Sequence, residues 1–374
     1  MRESGPDRET LDTVVVGAGI LGVAIARAIA RRGHEVVVLE AERAMGQHAS
    51  SRNSEVVHAG LYYPPGTLRA RLCVRGRHAL RAYCEARGVP LRRFGKLVVA
   101  TEPAHEATLL DIEARALENG VDDVTIIDAA AVRRLEPAVV ARAALRSPST
   151  SVVDSHRLLQ SLWGDAQDAG AQLALQTPML GASVRPAGFE VRTPEATVVC
   201  RRLVLTAGTA TQALAAATDG FPAAAIPPRH LAKGSYFRLD ARPFRGLVYP
   251  VPDTASLGIH VTLGLDGTVR FGPDQEWTDT IDYAVDPRRA PAFAAAIARY
   301  YPALDPDALR PDYAGVRSKV QGPGDPPADF VVQGPEQTGV DGLVALFGIE
   351  SPGLTACLAL AEAVADRLQL RPRP

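Results

Sequence analysis

The chain has 374 residues, of which 47% are hydrophobic and 22% charged, and its formal net charge is −1. That is enough chain for two domains with a buried core each, and the composition is that of a globular protein. A near-zero charge offers no basic face for nucleic acid and no like-charged tail, and no apolar run is long enough to span a membrane.

Residues 1–12 are polar and lack the apolar stretch of a secretory signal, and disorder is expected over 1–10. Val14-Val15-Val16 is β-branched and predicts a strand. It runs into Gly17-Ala18-Gly19-Ile20-Leu21-Gly22, after which Ala24, Ile25, Ala28 and Ile29 recur at helical spacing up to a stop at Gly33. Residues 35–39 form the next strand, closed by Glu40. Strand, glycine turn, helix, strand and terminal acid in this order are the fingerprint of a dinucleotide-binding βαβ unit. Gly17 permits the tight turn, Gly19 lets the backbone approach a pyrophosphate, and Gly22 lets the helix pack closely on the sheet. The helix start at Ile20-Leu21 offers free N–H groups and a positive dipole end to the phosphates. Glu40 is suited to accept the adenosine ribose hydroxyls and disfavours a 2′-phosphate, so FAD or NAD is expected rather than NADP. Ala41 and Arg43, which follow it, are placed with the cofactor.

Further on, the chain predicts a strand over 96–101 and a helix over 104–119 stopped by Gly120. Residues 201–208 read as a strand running into a small-residue turn. Antiparallel strands are expected over 234–239, 258–263 and 269–272, the last two joined by an Asp266-Gly267 hairpin, with a helix near 290–301. A strand over 343–348 then leads to a long helix over 356–368, with Ser351 as its N-cap and Pro352 in its first turn. Cysteines 73, 84, 200 and 357 fall at neither CxxC nor metal-ligand spacing, which predicts buried free thiols, a reducing cytoplasm and no metal. The strand–glycine–helix pattern recurs near both ends of the chain. This implies one discontinuous nucleotide domain, which favours a flavoprotein over an NAD dehydrogenase with its contiguous block. The predicted class is α/β (α+β overall): a Rossmann-like FAD-binding domain from 11–85, 148–215 and 330–374, and a mixed, largely antiparallel-sheet substrate domain from 86–147 and 216–329.

Several blocks carry a resemblance. They are Ser50-Ser51-Arg52-Asn53-Ser54 and its continuation through His58 to Gly66, Lys233-Gly234-Ser235-Tyr236-Phe237, Tyr249-Pro250-Val251-Pro252, residues 257–262, Ala314-Gly315-Val316-Arg317-Ser318-Lys319, and Gly348-Ile349-Glu350-Ser351-Pro352-Gly353-Leu354-Thr355. In this order, over nearly the whole chain, they resemble the D-amino-acid-oxidase superfamily of FAD-dependent oxidoreductases, and within it the L-2-hydroxyglutarate dehydrogenases/oxidases. The family's Arg-Pro-Lys triplet reads Arg317-Ser318-Lys319 here.

The resemblance implies FAD and the oxidation of L-2-hydroxyglutarate, or a close 2-hydroxy acid, to 2-oxoglutarate by hydride transfer to flavin N5. The electrons would pass on to oxygen, a quinone or an electron-transfer protein. His58 beside the flavin and His260 in the inserted sheet are the implied site histidines, with the identity of the base left open. Ser50 to Ser54 are implied at the pyrophosphate and flavin, Val184 at the adenine, Ala207 and Gly208 over the adenosine, and Gly348 to Thr355 at the pyrimidine edge. There the last helix would stabilise a reduced anion. Arg317, with Lys319, is the candidate carboxylate clamp, because a guanidinium fork matches two carboxylate oxygens. Tyr62, Tyr63, Tyr249 and Lys233 are candidates for a second carboxylate. Two alternatives stay open: an amine or amino-acid oxidase of the same superfamily, and a non-catalytic flavin-binding redox protein. The expected location is cytoplasmic, with peripheral contact at the inner membrane face also open.

Overall fold

Val14, Val15 and Val16 face opposite ways, as alternation along a strand requires. Val15, Val36, Val38, Val204 and Val344 pack on one side of a sheet against the helices Ile20–Ala30, Ser155–Asp168 and Gly353–Arg367. Val14, Val16, Leu203, Leu205 and Phe347 pack on the other against Met179, Phe189 and Val191. A sheet covered on both faces needs such an unbroken apolar run. In the computed structural model, which describes residues 10–252 and 258–373, this is the first of two nine-stranded sheets. The expected disorder over 1–10 lies outside the described residues, except at Thr10, which opens the first strand. Leu257 of the 257–262 block also lies outside them.

The first sheet has a parallel centre. Thr10–Val16 lies between Val36–Leu39 and Thr197–Leu205, with Gln172–Ala174 beyond one and Leu343–Phe347 beyond the other. Gly181–Arg185 and Gly188–Arg192 form an antiparallel meander with the first half of Thr197–Leu205. Thr218–Asp219 pairs in parallel with Gly181–Arg185, so this sheet takes in residues beyond 215.

The second sheet is mixed and mostly antiparallel. Lys96–Ala100 pairs antiparallel with Ala143–Ser147 and parallel with Leu247–Pro250. The sheet continues through Val261–Leu263 and Val269–Phe271 to the long strand His230–Leu239, which pairs along its other edge with Arg310–Lys319. Leu97 and Val99 turn toward Phe293 and Ile297 of the helix Ala290–Ala298, whereas Val98 and Ala100 turn toward Leu109, Ile112 and Ala116 of the helix His105–Glu118. The hairpin closes at Asp266-Gly267: Gly267 N–H donates to Gly264 O at 2.9 Å with φ +83°, and Asp266 Oδ1 accepts from Thr268 N at 2.9 Å. The strand expected over 258–263 is shorter, Val261–Leu263, because His260 is held by its own turn. A small third sheet, Val56–Val57, Ser151–Val153 and Leu91–Arg92, lies at the crossings between the two larger ones. All four cysteines are buried and free. Among the described residues no helix is long and apolar enough to cross a membrane.

Candidate active site

One cavity of about 1410 Å³ runs from the glycine turn to the second sheet. Ligand cavities for drug-sized molecules are roughly 300–1,000 Å³, so there is room for a dinucleotide and a small substrate together.

At its first end the backbone does the shaping. Gly17 has φ +101°, and a Cβ there would lie 2.8 Å from Thr206 O. A Cβ on Gly22 would lie 1.9 Å from Gly17 O, so Gly22 sets the distance between helix and turn and does not itself face the cavity. Glu40 Oε2 accepts from Ala18 N–H at 2.6 Å and Oε1 from Glu42 N–H at 2.9 Å. The acid therefore braces the glycine turn while facing the cavity beside Ala41. Ile20 N–H, at the helix start, donates to Ser50 Oγ at 2.9 Å. This places a hydroxyl from a distant segment beside the phosphate-binding N–H groups, a contact no local pattern discloses.

Several expected cofactor residues sit elsewhere. Val184 is not on the cavity wall; its side chain packs under Gly220, and Pro178 and Met179, just before its strand, line the wall instead. Arg43 is exposed and off the wall. Ser51 is also off it, its hydroxyl donating to His48 O at 3.2 Å. Asn53 lines the wall, but its side chain builds a turn: Nδ2 donates to Ala49 O and Ser50 O, and Oδ1 accepts from Glu55 N–H, where φ is +59°. Arg52 lays its guanidinium over the Tyr283 ring at 4.0 Å. Ser54, Ala207 and Gly208 line the wall, as do Leu21 and the stretch from Ile349 to Thr355. Gly348 does not; at φ +63° it turns the chain from strand Leu343–Phe347 into that stretch, and a Cβ would meet Val320 at 2.9 Å.

At the other end side chains converge from distant segments. His58 follows Val56–Val57 and anchors its N–H on Thr355 Oγ1 at 3.0 Å. Its Nε2 lies 3.2 Å from Ser351 Oγ, and its Nδ1 is buried without a protein partner. Burial, with Lys96 and His260 nearby, holds the ring well below the usual imidazole range. His260 stacks on Tyr249 with ring centroids 3.8 Å apart, and its Nδ1 lies 3.0 Å from Gly258 O. That carbonyl accepts only from an Nδ1–H tautomer, which leaves Nε2 as a lone-pair acceptor. Burial pushes this ring down to about 3, the Gly258 bond opposing and Lys96 and Arg317 assisting. Both rings are therefore neutral at neutral pH.

Ser351 is not the N-cap. The last helix begins at Gly353 with Pro352 at the cap position and no side-chain cap, and the Ser351 hydroxyl is directed to His58. Local capping rules read the following helix but not a ring 293 positions away.

Arg317 lies on Arg310–Lys319 and faces the cavity. Its Nη2 donates to Asp274 O at 3.1 Å, and among the described residues no carboxylate pairs with it. Lys319 does have an acid partner: its Nζ is 2.7 Å from Glu350 Oε1, which also accepts from Arg69 Nη2 at 3.0 Å. Burial opposes the Glu350 charge, but Lys319, Arg69 and Arg317 outweigh it and hold the carboxyl below its usual range. Tyr62, Tyr63 and Tyr249 line the cavity, and the hydroxyls of Tyr62 and Tyr249 are buried without protein partners. Lys233 is a correction. It is ion-paired with Asp282 at 2.5 Å and does not line the cavity; Gly234 and Tyr236 do, and alternation along the strand turns Lys233 away from them.

A family model described as DAO, FAD-dependent oxidoreductase, matches residues 12–367. The chain belongs to the FAD-dependent oxidoreductase family. Its cofactor is FAD, and the glycine cradle, the Glu40 acid and the cavity volume fit that group. The mitochondrial L-2-hydroxyglutarate dehydrogenase of Arabidopsis thaliana is 39% identical over 96% of this chain and 84% of its own length. That of Pongo abelii is 28% identical over 97% of this chain and 88% of its own. Among solved structures, the dithionite-reduced L-α-glycerophosphate oxidase of Mycoplasma pneumoniae with FAD bound superposes with a TM-score of 0.87, covering 98% of this chain and 97% of that one at 22% identity. At that identity the likeness is one of fold.

Sequence reasoning missed Lys96, the first residue of an otherwise apolar strand and only 2% exposed. The available signal was its phase: it shares a face with Val98 and Ala100, which belong to the core.

Proposed function

We propose that this oxidoreductase converts L-2-hydroxyglutarate, or a close 2-hydroxy acid, to the 2-oxo acid. The observation that carries the reading is one cavity holding two buried neutral histidines and a guanidinium with no acid partner among the described residues. The curated relatives, named for that activity, support the choice of substrate.

Removing a hydride from C2 and a proton from its hydroxyl leaves the ketone. FAD, when bound, supplies the acceptor for the hydride. Arg317 suits the carboxylate beside the reacting carbon, since it faces the cavity and its fork is held by backbone carbonyls only. The hydroxyl proton goes to His58 or His260, each of which reaches the cavity uncharged. Ser351 orients the His58 ring, and the Gly258 carbonyl and the Tyr249 face orient His260. Glu350, held by Lys319 and Arg69, keeps those two cations in place at the cavity wall.

The test is anaerobic mixing of the flavin-loaded protein with L-2-hydroxyglutarate, D-2-hydroxyglutarate, glycerol 3-phosphate and a set of amino acids. Bleaching of the flavin absorbance by L-2-hydroxyglutarate alone is the expected result. Bleaching by an amino acid and by no hydroxy acid overturns the reading in favour of an amine oxidase. Reoxidation of the bleached protein by air, by a soluble quinone or by neither then sorts the electron acceptor.

A further inference from the structure

Only three of the chain's 41 Lys and Arg residues are lysines: Lys96, Lys233 and Lys319. Lys233 and Lys319 each hold a carboxylate. Lys96 holds none among the described residues, although it is the most buried of the three. Lysine is almost never fully buried without a partner.

What surrounds Lys96 is aromatic and uncharged. Its Nζ lies 4.8 Å from the Tyr62 ring centroid and 4.5 Å from that of Tyr249. Such faces attract a cation, more strongly when water is excluded. From the helix Leu68–Arg87 comes Cys73, whose thiol burial pushes up to about 12, so it supplies no negative charge near neutral pH. His58 and His260 complete the titratable neighbours and are neutral. On the strands beside it, Ser147 and Leu247 stand opposite and carry no charge. The two tyrosines face the cavity, and their hydroxyls have no protein partner.

We infer that Lys96 is a positioning residue that serves a second substrate carboxylate through Tyr62 and Tyr249, and that it takes up a proton when a dicarboxylate binds. Arg317 then serves the carboxylate beside the reacting carbon, and Lys96, behind the phenols, the distal one; among the described residues neither has an acid partner. Neither phenol O–H has a protein acceptor, so a carboxylate that reaches the pair meets unspent donors, while the ring faces hold the ammonium. Burial pushes Lys96 down to about 7, so in the free protein the charge is only half present near neutrality. A carboxylate arriving at the phenols favours the charged form and draws a proton in. An arginine at this position would stay charged throughout, whereas a lysine does not.

This inference rests on the proposed dicarboxylate substrate, and the experiment separates the two. First, ¹³C NMR of the flavin-loaded protein labelled at lysine Cε has only three side chains to resolve. A resonance titrating near pH 7 that vanishes in Lys96→Met supports the inference without any substrate; its absence in the wild type overturns it. Second, 2-oxoglutarate binding is measured by calorimetry in two buffers of different ionisation enthalpy. The wild type should take up roughly half to one proton near pH 7.5, and its Kd should weaken about tenfold between pH 7 and 8.5. Lys96→Met should bind more weakly at pH 6.5, with no proton uptake and a flat pH profile. Lys96→Arg should restore binding at pH 8.5, also without uptake. The monocarboxylate 2-oxobutyrate should bring in no proton. Equal uptake by wild type and Lys96→Met, or none by wild type, overturns the role of Lys96. A titrating Lys96 in a protein that binds no 2-oxo dicarboxylate overturns the proposed substrate, and with it the role of Lys96 in holding one.

Discussion

The two ends of the cavity are built in different ways. At the glycine turn the working groups are backbone, drawn mainly from one stretch of chain and positioned by what side chains are absent. At the histidine end the working groups are side chains, drawn from the segment after residue 57, the 247–250 strand, the 258–260 turn, the 310–319 strand and the start of the last helix. A backbone site tolerates substitution where the side chain points away and fails completely where a Cβ intrudes. A convergent side-chain site fails one function at a time. The difference between these failure modes is open to measurement.

The largest effect belongs to the backbone end. Gly22→Ala puts a methyl 1.9 Å from the Gly17 carbonyl oxygen, a backbone atom, and 3.1 Å from the Thr206 methyl. Overpacking of this kind costs about 3 kcal/mol, and here it also displaces the phosphate-binding turn. The variant should purify colourless, with a lowered Tm and no uptake of added FAD; a yellow, stable protein breaks the contrast between the two ends.

Next come the histidines. His58→Ala and His260→Ala should each keep FAD, and whichever residue is the base should slow flavin reduction roughly 10²-fold or more. The pH profile sharpens this. Burial holds His260 near 3 rather than 6.5, so the ring is already deprotonated below the ordinary imidazole value. A proton acceptor of this kind loses activity only as pH falls toward its own pKa. Reduction at saturating substrate should therefore show no acid limb around 6.5, and a limb there is incompatible with a buried neutral base.

Arg317→Ala comes third. Losing hydrogen bonds to a charged group costs about 1.5–3 kcal/mol, or roughly 10- to 100-fold in KM, while the flavin spectrum stays unchanged. An unaltered KM removes Arg317 as the clamp. The smallest effect is expected from Lys233→Ala. This lysine pairs with the exposed Asp282 away from the cavity, so KM and reduction rate should stay within roughly twofold of wild type. A large loss of activity returns it to the site.

Legibility follows the same divide. The βαβ unit was readable because each of its parts is a local constraint: a left-handed φ at Gly17, a close approach at Gly22, an acid at a strand end. The segments bearing His58, His260 and Arg317 were readable by resemblance to a family, and the cavity brings them to one end. Lys233 went wrong because it sits next to the right residue on the wrong face of a strand, which a block of matching letters does not show. Ser351 went wrong because two uses of one hydroxyl, a helix cap and a distant ring, look identical in sequence. Val184 stands off the cavity wall, which is lined just upstream by Pro178 and Met179, an offset of a few residues along the chain that no local pattern discloses.

By itself, then, the sequence determined the glycine cradle, because that rests on short-range backbone geometry, and, through the order of its matching segments, the family to which the chain belongs. Only the tertiary structure decided which charges are matched. Glu350 bridges Lys319 and Arg69, Asp282 holds Lys233, and Arg317 and Lys96 are left without acids among the described residues. The reason is physical: the worth of a charge depends on what lies within a few ångströms and on how little water reaches it, and neither is a property of neighbours along the chain.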